Sequence, residues 1–481
     1  MTRSVTRLAA AGALSALFVA AACAPKTNYS APAPAPVAAF KENANWKPAE
    51  PRDTDVRGAW WEMFGDPALA ALEQRIDVSN QTLKAAEAQF AAARASVRGS
   101  RANLFPQVAA APAVSTARSS ANRAFASFHD PFNDIVAPLD ASYEADVWGR
   151  LHGIVEAGRT AAQATAADLE TARLSVHAEL AIDYFALRGL DREQQLLNAA
   201  VDAFAQALDL TQNRFRGGLA SGADVAQAET QLETTRVQAV DVAVQRAALE
   251  HAIALLVGEP ASTFSLAPSP LTAAPPNAPV GVPSDLLERR ADVAAAERRV
   301  ASAFAQVGVT QAAFYPVLTL SGAAGFESSS LGSLLSTASA FWTAGPTALV
   351  NVLDFGRRRA ANAQARAEYD VVSAEYQQTV LSAFREVEDQ LAALRVLEQE
   401  AAIQDRAVAA AERSLALANN RYRGGVASYL EVITAQSFAL GNERAAVNLL
   451  TRRMTATVLL LKGLGGNWRA ASLPTVAEIK N

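Results

Sequence analysis

Apolar side chains recur at coiled-coil spacing in two long stretches of the chain. From Val380 to Leu394 they follow one another at alternating steps of four and three residues, and apolar residues from Leu169 through Val176 to Leu197 keep the same period. A mean step of 3.5 residues is typical of helices that wind around each other. No proline occurs from Arg150 to Arg214 or from Gly356 to Tyr422, so each of these ranges predicts a single helix of roughly 95–100 Å. The predicted helices, each long one followed by a shorter one, are 150–214, 223–256, 356–422 and 429–461.

A different period marks two segments that we predict as β-hairpins, at 106–147 and 316–354. Apolar and polar residues alternate strictly from Leu139 to Val147, which places Asp140, Glu144 and Asp146 on one polar face. Strands of about ten residues with one apolar and one polar face fit a transmembrane barrel whose polar face lines a water-filled lumen. A half-buried soluble sheet gives the same alternation, and acids on a soluble rim would matter little. Aromatic residues near the predicted strand ends are expected at the membrane interface: Trp148, Phe341, Trp342 and Phe355.

The chain repeats itself at a spacing of about 207 residues. "NRFRGGLAS" begins at Asn213 and "NRYRGGVAS" begins at Asn420; the same offset aligns "WGR" at Trp148 with "FGR" at Phe355. "NLFPQV" and "AFYPVL" align at an offset of 210. A period this long indicates a duplicated half. The predicted units are a first repeat at 60–258, a proline-rich connector at 259–283, a second repeat at 284–465 and a tail at 466–481. Each repeat opens with a helix, which in the first covers Asp66 to Asn103.

Two hairpins per chain supply four strands, too few to close a barrel in lipid. Open sheet edges would leave backbone amides unpaired in hydrocarbon, and a closed membrane barrel needs at least eight strands. Four strands per chain give eight in a dimer and twelve in a trimer. The sequence therefore predicts an oligomer.

The N-terminus reads as an export signal at 1–22, with a basic start and an apolar run too short for a confident membrane span. Three alanines lead into Cys23, the one cysteine of the chain, which we predict to carry lipid at the head of an extended segment at 23–59. A plain secretory signal with Cys23 discarded or free is the alternative. Ala24 favours the outer membrane over retention at the inner membrane.

Composition excludes several classes of protein. A net charge of −5 argues against nucleic-acid binding, and one cysteine with four scattered histidines excludes a disulfide framework and a cysteine-based zinc site. No nucleotide-binding, metalloprotease or hydrolase motif occurs. We therefore expect no enzyme activity, cofactor or metal. No segment after the signal offers 18 consecutive apolar residues, so we expect no membrane-spanning helix.

Four segments together resemble the outer-membrane factors, the TolC-like and OprM-like exit ducts of bacterial efflux and secretion systems, in their lipoprotein branch. They are "WWEMFGDPAL" at 60–69, the stretch 282–322, "NRYRGGVASYLEVITAQ" at 420–436 and "LLLKGLGGNW" at 459–468. The resemblance implies a mainly α-helical chain with a membrane β-barrel, assembled as a homotrimer with twelve strands and a coiled-coil tunnel through the periplasm. It also implies a periplasmic adaptor and an inner-membrane transporter of the proton-driven resistance-nodulation-division type as partners.

The resemblance also implies where partners dock. Adaptor hairpins are expected at the two glycine turns, Gly217-Gly218 and Gly424-Gly425, where glycine allows tight reversal and close approach. A purely structural role for these glycines is the alternative.

The resemblance further implies a periplasmic gate at the start of the last helix. Leu430 stands where OprM-like members place an apolar ring, and Glu431 where TolC-like members place an acidic one. Thr434 replaces an expected aspartate, which puts a cation-binding constriction in doubt. Arg421 and Tyr422 stand where relatives link neighbouring helices. Ordinary coiled-coil core is the alternative for Leu430.

The predicted function is an exit duct of a tripartite efflux pump in the outer membrane. An outer-membrane duct for type I protein or polysaccharide secretion is the alternative, and a non-conducting coiled-coil lipoprotein is a third reading. With three methionines in the chain, a copper-specific lining has little support.

Overall fold

A computed structural model describes residues 29–32, 40–41, 59–118, 120, 122, 131–276, 289–466, 468, 472–475 and 478–479. The predicted signal at 1–22, Cys23 and most of the segment 23–59 lie outside these residues. So do the end of the connector and the start of the second repeat, at 277–288.

The two long helices have 67 residues each, which corresponds to about 100 Å. Both end one or two residues beyond the predicted bounds, and arginines in their last turns complement the negative end of the helix dipole. The elements are α1 (Pro67–Ser79), α2 (Gln81–Ala102), β1 (Gln107–Ala110), β2 (Ala113–Ala117), β3 (Phe132–Ala145), α3 (Arg150–Arg216), α4 (Gly222–Leu256), α5 (Ala291–Ala312), β4 (Val317–Ser328), β5 (Ala340–Leu349), α6 (Arg357–Arg423) and α7 (Tyr429–Gly463).

The helical segment expected from Asp66 to Asn103 is divided into two helices at Asn80. The Asn80 side chain accepts a hydrogen bond from the backbone N–H of Leu83 at 3.0 Å, which caps α2. Its amide also donates to the backbone carbonyl of Leu256 at 2.7 Å, at the end of α4. A short polar side chain that bonds nearby backbone groups competes with continuous helix, and Asn80 ends α1 for this reason.

The strands form one antiparallel sheet with four strand positions. β1 and β2 both pair with β3 and are separated by Ala111 and Pro112, because proline has no N–H to continue the ladder. β3 pairs with β4, and β4 with β5, so β1 and β2 form one edge and β5 the other.

The register gathers the apolar side chains on one face of the sheet. Leu139 lies opposite Ala324, which in turn lies opposite Trp342, and every second residue along these strands continues the same apolar surface. The opposite face carries serines, threonines and four acids. These acids are Asp134, Asp140, Glu144 and Glu327.

Three successive layers repeat one order of elements. Next to the sheet, α3 packs between α2 and α5, and α5 contacts α6. Towards the far end, α3 packs between α4 and α7, and α7 contacts α6. In each layer a first-repeat element forms one edge and a second-repeat element the other, so each edge runs along one side of the molecule from the sheet to the helix tips.

Small residues allow the central helices to approach closely. A Cβ built on Gly189 of α3 would lie 2.3 Å from the hydroxyl of Thr451 on α7, and one on Gly153 would lie 2.9 Å from a methyl of Val309 on α5.

The main core lies midway along the long helices, where α1 and the connector pack on them around Leu180, Tyr184 and Leu391. Among the described helices, none is both long and apolar enough to cross a membrane.

A buried acid–histidine pair fastens α1 to α3 in this core. Glu73 is fully buried, and its carboxylate lies 2.6 Å from Nδ1 of His177, whose ring stacks on Trp61. Asp77 lies 3.5 Å from Nε2 of His177 and 3.2 Å from Arg173. Burial raises the pKa of Glu73 to about 7, against the lowering effect of its hydrogen bond with His177.

This raised pKa predicts a pH-dependent stability. Because the folded state favours protonated Glu73, its contribution to stability is fully present below the ordinary pKa of 4.5 and is lost as pH rises through about 7. Glu73→Gln should flatten the fall in melting temperature between pH 5 and pH 8, followed by circular dichroism. Glu229→Gln, on the exposed face of α4 and away from this cluster, is the control. An unchanged slope in Glu73→Gln would show that the pair does not titrate in this range.

Candidate functional site

Two turns with the same backbone close the helical hairpins at the end far from the sheet. In the first, the amide of Leu219 donates to the carbonyl of Arg214 at 2.8 Å; in the second, the amide of Val426 donates to the carbonyl of Arg421 at 3.0 Å. This bond across five residues is the signature of a Schellman end, which needs one residue with positive φ. Gly218 and Gly425 supply it, with φ of 68° and 73°.

The other glycine of each pair has no such requirement. Gly217 and Gly424 have negative φ, and a Cβ on either would meet a helix carbonyl at an ordinary contact distance of 3.4–3.5 Å. The expectation that all four glycines are needed for tight reversal is therefore wrong for Gly217 and Gly424. Sequence alone does not separate the two positions, because both are glycine in both turns.

The equivalent acids after the two turns have different partners. In the first turn, Asp224 forms a capping box with Ser221, which satisfies the first amides of α4. In the second turn, Ser428 makes no side-chain cap, and Glu431 instead lies 3.3 Å from Arg421. Both Arg421 and Glu431 are largely exposed, and an exposed ion pair contributes only ~0–1 kcal/mol.

The two hairpins of one chain are joined at their tips by Arg214 and Tyr422. The Arg214 guanidinium donates to the backbone carbonyl of Tyr422 at 2.5 Å and lies over its ring at 4.4 Å. The Tyr422 hydroxyl lies 3.3 Å from that of Thr211. Arg214 was not singled out from the sequence, although the 207-residue offset pairs it with Arg421 and could have identified it.

Leu430 lies outside the small core of the tip. That core contains Tyr422, Tyr429 and Val432, and burial raises the pKa of Tyr429 to about 12, so its hydroxyl stays neutral. Leu430 is 57% exposed, so within one chain it is not the buried coiled-coil residue that was the alternative reading. The Thr434 hydroxyl donates back to the carbonyl of Leu430 at 2.8 Å, along its own helix.

The three acids predicted on the polar strand face differ in their surroundings in the structure. Asp140 lies on this face, and within the described residues no ion pair neutralises it. Glu144 receives two hydrogen bonds from Arg150, at 2.9 and 2.7 Å. Asp146 lies after the end of β3 and accepts from the amides of Leu151 and His152 at the start of α3, so it caps a helix. Glu144 and Asp146 are therefore tied to the junction between sheet and helix.

Within the described ranges, no three His, Cys, Asp or Glu side chains lie close enough together to hold a metal ion. The geometry instead provides a polar sheet face continuous with long helices and two similar tips. Such an architecture defines the class of outer-membrane channels built from helical hairpins and a small sheet.

The chain belongs to the outer membrane efflux protein family, whose profile matches residues 72–259 and 282–466. Each match covers most of one repeat. The protein is therefore an outer-membrane efflux channel component.

Similar proteins span nearly the same length. The chain is 30% identical over 472 residues to the antibiotic efflux pump outer membrane protein ArpC of Pseudomonas putida, covering 97% of this chain and 96% of that protein. It is 30% identical to the pyoverdine export outer membrane protein OpmQ of Pseudomonas aeruginosa, covering 87% and 89%. The solved outer-membrane channel OprN superposes with a TM-score of 0.86 at 27% identity, over 92% of this chain and 99% of that one.

Proposed function

We propose that this protein forms a homotrimeric exit duct of a tripartite efflux pump. A periplasmic adaptor would join it to an inner-membrane transporter of the proton-driven resistance-nodulation-division type. The observation that carries the proposal is the shared order of the sheet and the two helical layers, because four-element layers with corresponding free edges can close side by side into one continuous tube. Three chains would give twelve strands and twelve helices around a common lumen.

The exported cargo is proposed to be small molecules. ArpC is named for antibiotics and OpmQ for pyoverdine, and other relatives are named for toluene. These names favour efflux over the export of proteins or polysaccharides. A knockout should accumulate a fluorescent drug substrate, and the cloned gene should restore efflux.

The proposed lipid carrier is Cys23, which would hold the N-terminal segment at the outer membrane while the sheet spans it. Support comes from its position directly after the small-residue end of the predicted signal. Mass spectrometry of the mature N-terminal peptide tests this: an acylated Cys23 is expected, and an unmodified peptide starting elsewhere would exclude it.

The polar sheet face would line the lumen and favour cations. Asp140 carries this effect better than Glu144, which Arg150 neutralises. Asp140→Asn should reduce cation preference, measured as the reversal potential under a salt gradient in a planar bilayer, because an acidic ring raises the local cation concentration. Glu144→Gln is the matched control and should change it less. Anion preference in the parent protein would contradict the lumen assignment.

The proposed gate closes where Leu430 side chains of three chains meet on the axis, with Glu431 and Arg421 beside them. Leu430→Ala should raise single-channel conductance and sensitise cells to large antibiotics, because a smaller ring no longer excludes water from the pore. Leu335→Ala, a change at an exposed leucine in the β4–β5 loop at the opposite end of the chain, should leave both unaffected. If conductance stayed at the parental value while the trimer was destabilised, Leu430 would be an assembly residue.

The proposed adaptor-docking surface consists of the two turns, giving six similar tips per trimer. Gly425→Val should abolish adaptor crosslinking while trimers survive on a gel, because valine is strained at positive φ and would distort the tip. Gly424→Ala is the matched control, since that position has ordinary φ and room for a Cβ. Loss of the trimer in Gly425→Val would instead indicate a structural role alone.

A further inference from the structure

An aromatic contact joins the two repeats where the sheet meets the helices. The indole of Trp148, just after β3, stacks on Tyr315, just before β4, with ring centroids 4.8 Å apart and planes 19° from parallel. The indole N–H also donates to the carbonyl of Pro316 at 2.8 Å. This contact fixes the end of a first-repeat strand against the start of a second-repeat strand.

The internal repeat assigns a counterpart to each ring. Trp148 corresponds to Phe355 in the "WGR" and "FGR" alignment, and Tyr315 corresponds to Phe105 in the segments around Pro316 and Pro106. Gly149 and Gly356, the residues after Trp148 and Phe355, both have positive φ, which supports the equivalence. Phe355 follows β5 and Phe105 precedes β1, at opposite edges of the sheet, so the two rings of one chain cannot meet.

Both counterpart rings are exposed in the single chain. Phe355 is 93% exposed and Phe105 is 62% exposed. Phe355 also has a φ of 51°, unlike any other non-glycine residue described, and a bulky side chain in this region is strained. Asp354 accepts hydrogen bonds from the amide of Gly356 and the side chain of Arg358, which hold this strained turn. Exposed apolar residues continue from it along the β5 edge: Leu349, Val350, Val352 and Leu353.

We propose that Phe355 of one protomer stacks on Phe105 of the next, repeating the Trp148–Tyr315 contact across the subunit boundary. The inference rests on the ring closure proposed above, because only closure brings the β5 edge beside the β1 edge of another copy. The in-chain register supports it: Ala145 lies opposite Leu318, and the same correspondence sets Val352 opposite Val108 of the neighbour. Each chain would then contribute one internal and one intermolecular aromatic contact.

The two contacts differ in strength. Phenylalanine has no N–H, so the intermolecular contact lacks the hydrogen bond that Trp148 makes to Pro316. The aromatic contact between protomers is therefore weaker than the one between the repeats of a chain. We expect neighbouring protomers to separate at this contact before the two repeats of one chain do.

Cysteine crosslinking of the full-length protein in membranes tests the pairing. Phe105→Cys combined with Phe355→Cys should give covalent dimers and trimers on oxidation. Trp148→Cys combined with Tyr315→Cys should crosslink within one chain and leave monomers on a denaturing gel. Each single variant serves as a control for crosslinking through Cys23.

A second measurement uses trimer dissociation in detergent. Phe355→Ala should raise the dissociation constant by about 100-fold, from about 1 kcal/mol at each of three contacts, while monomer helicity is unchanged because the ring is exposed in the chain. Phe355→Trp should lower the dissociation constant, because its indole N–H can donate to a carbonyl at Pro106 of the neighbour as Trp148 donates to Pro316. Leu335→Ala, a change at another exposed apolar residue in the β4–β5 loop, should retain the parental value.

The outcomes separate this inference from the assembly itself. A parental trimer by light scattering, with no crosslink in the double variant and no effect of Phe355→Ala, would overturn the pairing and leave the duct intact; Phe355 would then face lipid. A parental protein that does not form trimers would overturn both.

Discussion

The backbone groups that no described strand pairs, at the two edges of the sheet, govern the rest of this structure. β1 and β2 end one side and β5 ends the other, and in hydrocarbon each open amide or carbonyl costs several kcal/mol. The helices lie side by side in the same order as the strands that they follow. When the sheet edge of one chain pairs with that of another, the helices at these edges are therefore brought together along about 100 Å. Closure of the sheet and closure of the helical tube are therefore one event.

Duplication explains why such closure needs few kinds of contact. Within one chain, the first repeat already packs against the second along the same kind of edge that would pack against the next chain. The Trp148–Tyr315 stack is one contact at this boundary between the repeats. The two repeats share the backbone conformations that their turns require, such as the positive φ of Gly218 and Gly425. They differ in the side-chain interactions that stabilise each turn: Asp224 forms a capping box, whereas Glu431 forms an ion pair.

The features predictable from the sequence are those that depend on period and on the absence of proline. The coiled-coil stripes locate α3 and α6 to within two residues, and strict alternation identifies the faces of β3, because each pattern reports a regular local geometry. The break at Asn80 was not predictable, since it depends on a carbonyl of Leu256 that is distant in sequence. Asp146 belongs to the alternating pattern but caps a helix, because the strand ends one residue earlier. The Arg214–Tyr422 link joins different hairpins, and only the folded chain brings these residues together.

The energetics of the tip limit how the proposed gate can stay closed. To shift a gate that is shut 99% of the time to one that is open 99% of the time, partners must favour the open state by about 5.5 kcal/mol. The exposed Arg421–Glu431 pair joins the two helices of one hairpin, so three such pairs stabilise the three tips by at most about 3 kcal/mol in total, and screening by salt lowers this further. The ion pairs are thus suited to exchange partners at low cost, and they cannot account for closure alone. Burial of the exposed part of three Leu430 side chains adds an apolar contribution of about 1–2 kcal/mol each. Closure in the proposed gate therefore depends mainly on Leu430, and an adaptor bound at six turns has to offset that apolar contact in order to open the duct.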